Sequence, residues 1–222
     1  MVLNDLDREV LRFAAAHCLV APDHVSALTS APIAEAGARM VRLAANGLLV
    51  RDRLAAAGWG CFRITCAGLR AVASGLPPPR LTRCHRHDVG VPWVWLAARD
   101  GVFGSIDRVL CEREMRGALS DVDAPFEVQP DGEHGHFPDV MLLTRSGRIQ
   151  VELPLAAPAA EQLAAILRAY AADARVVAVL YLVVDPWVGE LVQSVVGQLE
   201  LTQLVHVQPA RFGSELPSPG DD

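Results

Sequence analysis

The chain has 222 residues, enough for one large or two small domains, and with 51% apolar and 21% charged side chains it is excluded from the disordered class. A formal net charge of −6 argues against a protein that coats nucleic acid nonspecifically. No apolar run approaches the roughly 20 residues that cross a bilayer, and the opening "MVLNDLDREV" lacks the basic and apolar regions of a secretory signal, so a cytoplasmic location with no membrane partner is expected.

Charge is unevenly placed. Residues 1–76 carry eight arginines against six acids, and residues 77–222 carry twelve against twenty, so the positive excess sits at the front. All 20 basic residues are arginine. The five cysteines, Cys18, Cys61, Cys66, Cys84 and Cys111, form no CxxC pair and suit reduced, buried thiols better than a disulfide frame.

"LNDLDREVLRFAAAHC" places Leu3, Leu6, Val10, Phe13 and His17 three and four apart, the apolar face of a helix that Asn4 or Asp5 caps. "APDHVSALTS" predicts a short second helix with Pro22 in its first turn, and Ser30 with Pro32 opens a third, which Gly47 ends. In that third helix Ile33, Gly37, Met40 and Leu43 or Ala44 make the expected buried stripe, and Glu35, Arg39, Arg42 and Asn46 are expected to point away from it. "LLVRDR" and "GCFRIT" predict a hairpin carrying Arg51, Arg53 and Arg63, and "CAGLRAVAS" a closing helix.

Three helices followed by a hairpin is the order of a winged helix, whose second turn-helix enters the major groove while the hairpin reaches phosphates. Ser30, Arg39, Arg42, Asn46, Arg51, Arg53 and Arg63 are the candidate contacts to double-stranded DNA, since the guanidinium fork grips guanine edges and phosphates alike. For any single arginine, the solvated side of an amphipathic helix is the blander alternative.

"SGLPPPRLTR" breaks every periodicity and predicts a stiff linker, which bounds a first domain at 1–76, a linker at 77–84, a second domain at 85–212 and a flexible tail at 213–222. After the linker, "CHRHDVGVPWVWLAARDG" predicts a helix with a Val89, Trp93, Leu96 stripe, kinked or started by Pro92. Trp93 and Trp95 are expected on opposite sides of it, so that at least one faces a partner. "SIDRVLCEREMRGAL" is ambiguous between helix and strand, and "FEVQPDGEHGHF" reads as a strand running into a loop. "DVMLLT" and "RIQVEL" predict a hairpin, "APAAEQLAAILRAYAAD" a helix, "VVAVLYLVV" a strand buried on both faces, then a helix from Pro186 to Gly197 and an edge strand "QLVHVQ". The expected class is α+β in two domains, the second an α/β sandwich.

The residues "ARMVRLAANGLLVRD", "HRHDVGV", "CEREMR", "FPDVMLLTRSGRIQVEL" and "EQLAAILRAY", in that order, resemble the replication-relaxation family of plasmids and other mobile elements. That resemblance implies an N-terminal winged helix-turn-helix joined to a restriction-endonuclease-like domain of the PD-(D/E)xK type, with DNA binding linked to replication, topology or transcriptional control. It also implies where a magnesium ion would sit, on Glu112 or Glu114, Asp139 and Glu152. The position of the water-activating lysine falls on Pro154, and with no lysine in the chain no migrated lysine replaces it, although glutamine or glutamate stands in for lysine in some nucleases. Arg148 or Arg168 can stabilise phosphate charge, but a guanidinium does not take a proton from water near neutrality.

Asp139 and Glu152 therefore have three readings: a cutting site, a metal or nucleic-acid-end site without cutting, or polar remnants on a fold used for pairing subunits. The last is preferred, so no catalytic residue and no required cofactor are expected, with magnesium at Asp139 and Glu152 left open. The expected function is a homodimeric, site-specific DNA-binding regulator. The alternatives are a metal-dependent endonuclease targeted by its own winged helix, or a protein-interaction adaptor. Zinc on Cys84, His85 and His87 with Cys61 or Cys66 lacks a second closely spaced pair, and His134 and His136 read as solvent-exposed loop histidines. His87 and Asp88 read equally well as a helix-capping pair or as groups orienting a catalytic residue.

Overall fold

The computed structural model describes residues 2–52, 60–79, 85–117, 126–130 and 135–211. Arg53, Cys84, His134 and the tail from residue 213 lie outside the described residues, as does the side chain of His85. The described chain is mixed α and β, with two sheets, and divides between Leu96 and Ala97 into two compact units.

The first unit opens with α1, Asp5–Ala16, closed at its start by a reciprocal cap in which Asn4 accepts from the Asp7 N–H and Asp7 from the Asn4 N–H. Helix α2, Pro22–Thr29, ends at Ser30 in the left-handed conformation (φ 57°), and α3 spans Ile33–Ala45. Strands β1, Leu49–Arg51, and β2, Phe62–Ile64, pair antiparallel, and Val20 exchanges two backbone hydrogen bonds with Phe62 as an isolated bridge. Helix α4, Cys66–Ala71, is capped by Thr65 Oγ1 and packs on the hairpin so closely that a Cβ at Gly68 would collide with the Leu48 carbonyl.

The core of this unit is built from Val10, Leu11, Phe13, Met40, Leu43 and Ile64. Two stripe residues depart from expectation. Leu6 and Ile33 are exposed, because Leu11 and Ala14 on α1 and Ala36 on α3 turn inward instead.

Helix α5, His85–Arg99, contains Pro92 and was expected in the second domain. The division after Leu96 puts most of it with the first: Trp95 meets Phe13 edge-on at 5.4 Å and Trp93 meets His24 at 4.7 Å, while Leu96 joins the core. Both tryptophans are therefore used inside the first unit, where one had been expected to face a partner.

The second unit is a five-stranded sheet in the order β3-β4-β5-β6-β7. The ambiguous segment resolves into β3, Arg108–Cys111, and a short α6, Glu112–Gly117. Strands β4, Val140–Thr144, and β5, Gly147–Glu152, continue the antiparallel run; their turn needs Gly147 at φ 145°, where an added Cβ would meet Val177 and the Arg175 carbonyl. Helix α7, Ala160–Ala172, crosses to β6, Val176–Val183, and α8, Pro186–Gln198, crosses to β7, Val205–Pro209; both crossovers give parallel pairing. The expected strand at 126–128 is reduced to a single bridge, Val128 with His136. Leu163, Leu167 and Tyr170 of α7 and Val192 and Val195 of α8 pack on one face of the sheet, over Val179, Tyr181 and Val205.

Candidate functional site

The strand register brings the two acids together. Val140 pairs with Val151, so Asp139 and Glu152 stand opposite each other at the ends of β4 and β5. Asp139 Oδ2 accepts the Leu153 N–H at 2.7 Å, and its carbonyl accepts the Glu112 N–H at 3.2 Å, tying the ends of three strands. Strand β5 ends at Glu152, and Pro154 lies beyond it, where no ladder hydrogen bond is required of it.

Glu152 is buried, and one of its oxygens is engaged twice. Tyr170 on α7 donates to Oε1 at 2.5 Å, and His136 Nε2 lies 2.7 Å from the same atom. Burial raises the Glu152 carboxyl above its ordinary value, against the pull of His136. Burial alone would lower His136, but the hydrogen bond to Glu152 and the charges of Glu152, Asp139 and Glu112 raise it. Tyr170 and Tyr181 are both held well above the usual phenol range, first by burial and then by the charge of Glu152.

This donor set does not fit a divalent cation. Each of the nearby acids has another engagement: Glu152 with Tyr170 and His136, Asp139 with the Leu153 amide, Glu112 Oε1 with Arg116 at 2.7 Å, and Glu114 Oε2 with the Cys111 N–H at 3.0 Å. Among the described residues, no three His, Cys, Asp or Glu side chains gather closely enough to hold a metal. Of the two arginines considered for phosphate, Arg148 lies over the Phe126 ring at 5.3 Å and Arg168 is exposed on α7. The chemistry the cluster can perform is to share a proton between Glu152 and His136, with the Tyr170 hydroxyl as a fixed donor.

The strand pattern locates the acids, whereas His136, expected as a solvated loop residue, lies against Glu152. Its 16-residue separation from Glu152 is closed by the Val128 bridge and the β4–β5 hairpin. Tyr170 carried a fainter signal, because it continues the Leu163, Ile166, Leu167 spacing of the buried face of α7.

The arginines of the first unit are arranged differently from expectation. Arg39 and Arg42 turn toward α1 and donate to the same buried carboxylate oxygen, Asp7 Oδ1, at 2.7 and 2.6 Å. Arg39 is only 14% exposed and Arg42 44%. Burial by itself would raise the Asp7 carboxyl, but the hydrogen bonds from Arg42, Arg39 and the Asn4 amide hold it below its ordinary value. The side of α3 opposite Ala36, Met40 and Leu43 is formed by Ala34, Ala38, Val41 and Ala45, all exposed. Arg63 donates to the buried Asp52 at 2.6 Å. Arg51, Asn46 and Ser30 are exposed, with Asn46 Nδ2 donating back to the Arg42 carbonyl at 2.9 Å.

No protein-family model and no curated protein matches the chain. Among solved structures, one described as "PigF with SAH" is similar at 14% identity over 96% of this chain and 64% of its own length, with a TM-score of 0.23. This chain thus spans under two thirds of that one, and a likeness so slight carries no argument about fold or activity.

Proposed function

We propose that this chain is a site-specific binder of double-stranded DNA, a regulator of transcription or replication on a plasmid or other mobile element, which acts as a homodimer and does not cut its target. In this reading the first unit is a winged helix and the second a nuclease-like core kept as a scaffold for pairing two copies. The order α1, Val20 bridge, α2, α3, β1, β2 supports the winged helix, and exposed Arg51, with half-exposed Arg42, supplies the cationic contacts. The sheet order, with Asp139 and Glu152 facing each other on adjacent strand ends, supports the nuclease-like core. The mobile-element setting follows from the family resemblance alone.

The observation that carries the loss of cutting is the double engagement of Glu152 Oε1 by Tyr170 and His136. A carboxylate committed to two internal partners, in a chain with no lysine to orient a water, lacks the constellation that phosphodiester hydrolysis requires. Incubating purified protein with plasmid and Mg²⁺ or Mn²⁺ tests this. Nicking that vanishes on Asp139→Ala would establish the endonuclease alternative.

A second reading, the protein-interaction adaptor, is favoured by the apolar outward side of α3, where a base-reading helix more often carries polar groups. Retention of genomic fragments at two salt concentrations separates the two. Salt-sensitive retention supports DNA binding, and its absence supports the adaptor.

A further inference from the structure

Among the described residues, the sheet of the second unit has two edges, β3 and β7. The β3 edge is charged: Asp107 and exposed Arg108 precede Glu112 and Arg113, the usual guard against edge-to-edge pairing. The β7 edge is not. From Leu191 to Ala210 the sequence holds a single charged side chain, Glu200, in a region (77–222) that carries twenty acids.

The backbone of β7 is phased by two hydrogen bonds, Val179 N–H to the Leu204 carbonyl and the Ala210 N–H to the Val183 carbonyl, both at 2.8 Å. In a parallel ladder this turns the even-numbered residues of β7 toward β6 and leaves Val205, Val207 and Pro209 facing outward. The Val205 N–H is taken by the Leu201 carbonyl at 2.9 Å, and Pro209 has no N–H. Val207 is therefore the one residue of β7 that presents both a donor and an acceptor at the edge. Beside it runs a groove of about 360 Å³ lined by Gln193, Val196, Thr202, His206, Val207 and Gln208. The first turn of α8 lies over Val207, where a Cβ at Gly189 would meet the valine Cγ1 at 3.7 Å, and Trp187 stands two residues earlier, 61% exposed.

We propose that two copies of this chain pair through antiparallel β7 edges about a twofold axis at Val207, joining their two five-stranded sheets into one. The axis is set by the hydrogen-bond supply: with Val207 opposite Val207, each exchanges both bonds and no edge donor is left unpaired, while Pro209 stops the ladder from extending. A second copy is the fitting occupant because the surface is self-complementary. It is neutral, rich in amides, and flanked by an exposed tryptophan, so two acidic molecules meet there without like-charge repulsion. This inference rests on the pairing role proposed for the second unit and not on DNA binding.

The axis places His206 of one copy directly opposite Gln208 of the other, on the exposed face of the strands. The test is sedimentation equilibrium of the full chain over a concentration series, with far-ultraviolet circular dichroism as the check on folding. The wild type is expected to be a dimer. His206→Glu with Gln208→Glu weakens association about tenfold by setting like charges opposite each other twice, and His206→Glu with Gln208→Lys restores it.

A wild type that is monomeric throughout overturns both this inference and the pairing role. A dimer indifferent to the like-charge variant overturns the β7 edge alone. Should either variant fail to fold, amide exchange at Val207 in the wild type decides: slow at high concentration and fast on dilution supports the pairing, and fast throughout overturns it. Loss of DNA retention by the wild type would count against the DNA reading and leave this interface standing.

Discussion

Tyr170 on α7 and Glu152 on β5, 18 residues apart, are joined by a buried hydrogen bond of 2.5 Å from the phenol to Oε1. The pair links the helix to the end of the strand. With His136 on the same oxygen, it makes the acid a structural joint.

Tyr170→Phe removes one donor while keeping the ring that fills the core. Glu152 then keeps His136 but loses half of its compensation, and a buried acceptor short of a partner costs about 1–3 kcal/mol. Urea midpoints of the two proteins measure it; equal midpoints would show that the phenol contributes nothing to the fold.

Two histidines should give stability an alkaline and an acid limb. His136 is raised in the folded state, so the fold holds a proton that the unfolded chain releases, and stability drops as pH climbs above the ordinary histidine value of 6.5; the raised Glu152 carboxyl adds a loss that begins earlier, above its ordinary 4.5. His24 behaves oppositely. It is buried, its Nδ1 accepts the Ala21 N–H at 3.0 Å, and burial lowers it from 6.5 to about 3, so unfolding takes up a proton and stability drops as pH falls below 6.5. Denaturant midpoints across the range check both limbs: His136→Asn should flatten the alkaline one and His24→Asn the acid one.

Asp7→Asn should destabilise the first unit strongly, by roughly 3 kcal/mol, because it removes the charge that Arg39 and Arg42 share and weakens the reciprocal cap of α1. Arg39→Gln should cost more stability than Arg42→Gln, since Arg39 is the less exposed of the two. Thermal melts of the three variants rank them.

Arg51→Ala is the cleaner probe of DNA contact. Exposed on β1, it should leave the melting temperature unchanged while lowering retention and reducing the slope of log affinity against log salt by about one. An unaltered salt slope would remove the hairpin from the interface.

Divalent cations should not shift the melting temperature. A ligand that binds only the folded state adds RT ln(1 + [L]/Kd), so even weak binding at Asp139 and Glu152 would register at millimolar Mg²⁺ or Mn²⁺. A rise that Asp139→Ala abolishes would reinstate a metal centre at the acid pair.

Much of the architecture was legible along the chain because it is periodic. The 3–4 spacing of Val10 and Phe13 and of Met40 and Leu43, the β-branched run 176–183 and the Ser-Gly turn at 146–147 are local signals, and each element they predict is present. The segment 105–119 was not, since four residues of strand followed by one and a half turns of helix are too short for either period to declare itself. The helix after the linker was legible as a helix but not in its allegiance, which depended on Trp93 and Trp95 finding His24 and Phe13 far earlier in the chain.

Sequence alone fixed the chemistry available: paired acids on adjacent strands, no lysine anywhere, and arginines gathered at the front. Which groups those residues would engage was decided only in three dimensions. Arg39 and Arg42, read as outward-facing, fold back on Asp7, and Glu152, read as a possible metal ligand, is claimed by His136 and Tyr170. A buried charge takes whatever partner tertiary packing brings within reach, and that partner's distance along the chain leaves no periodic trace.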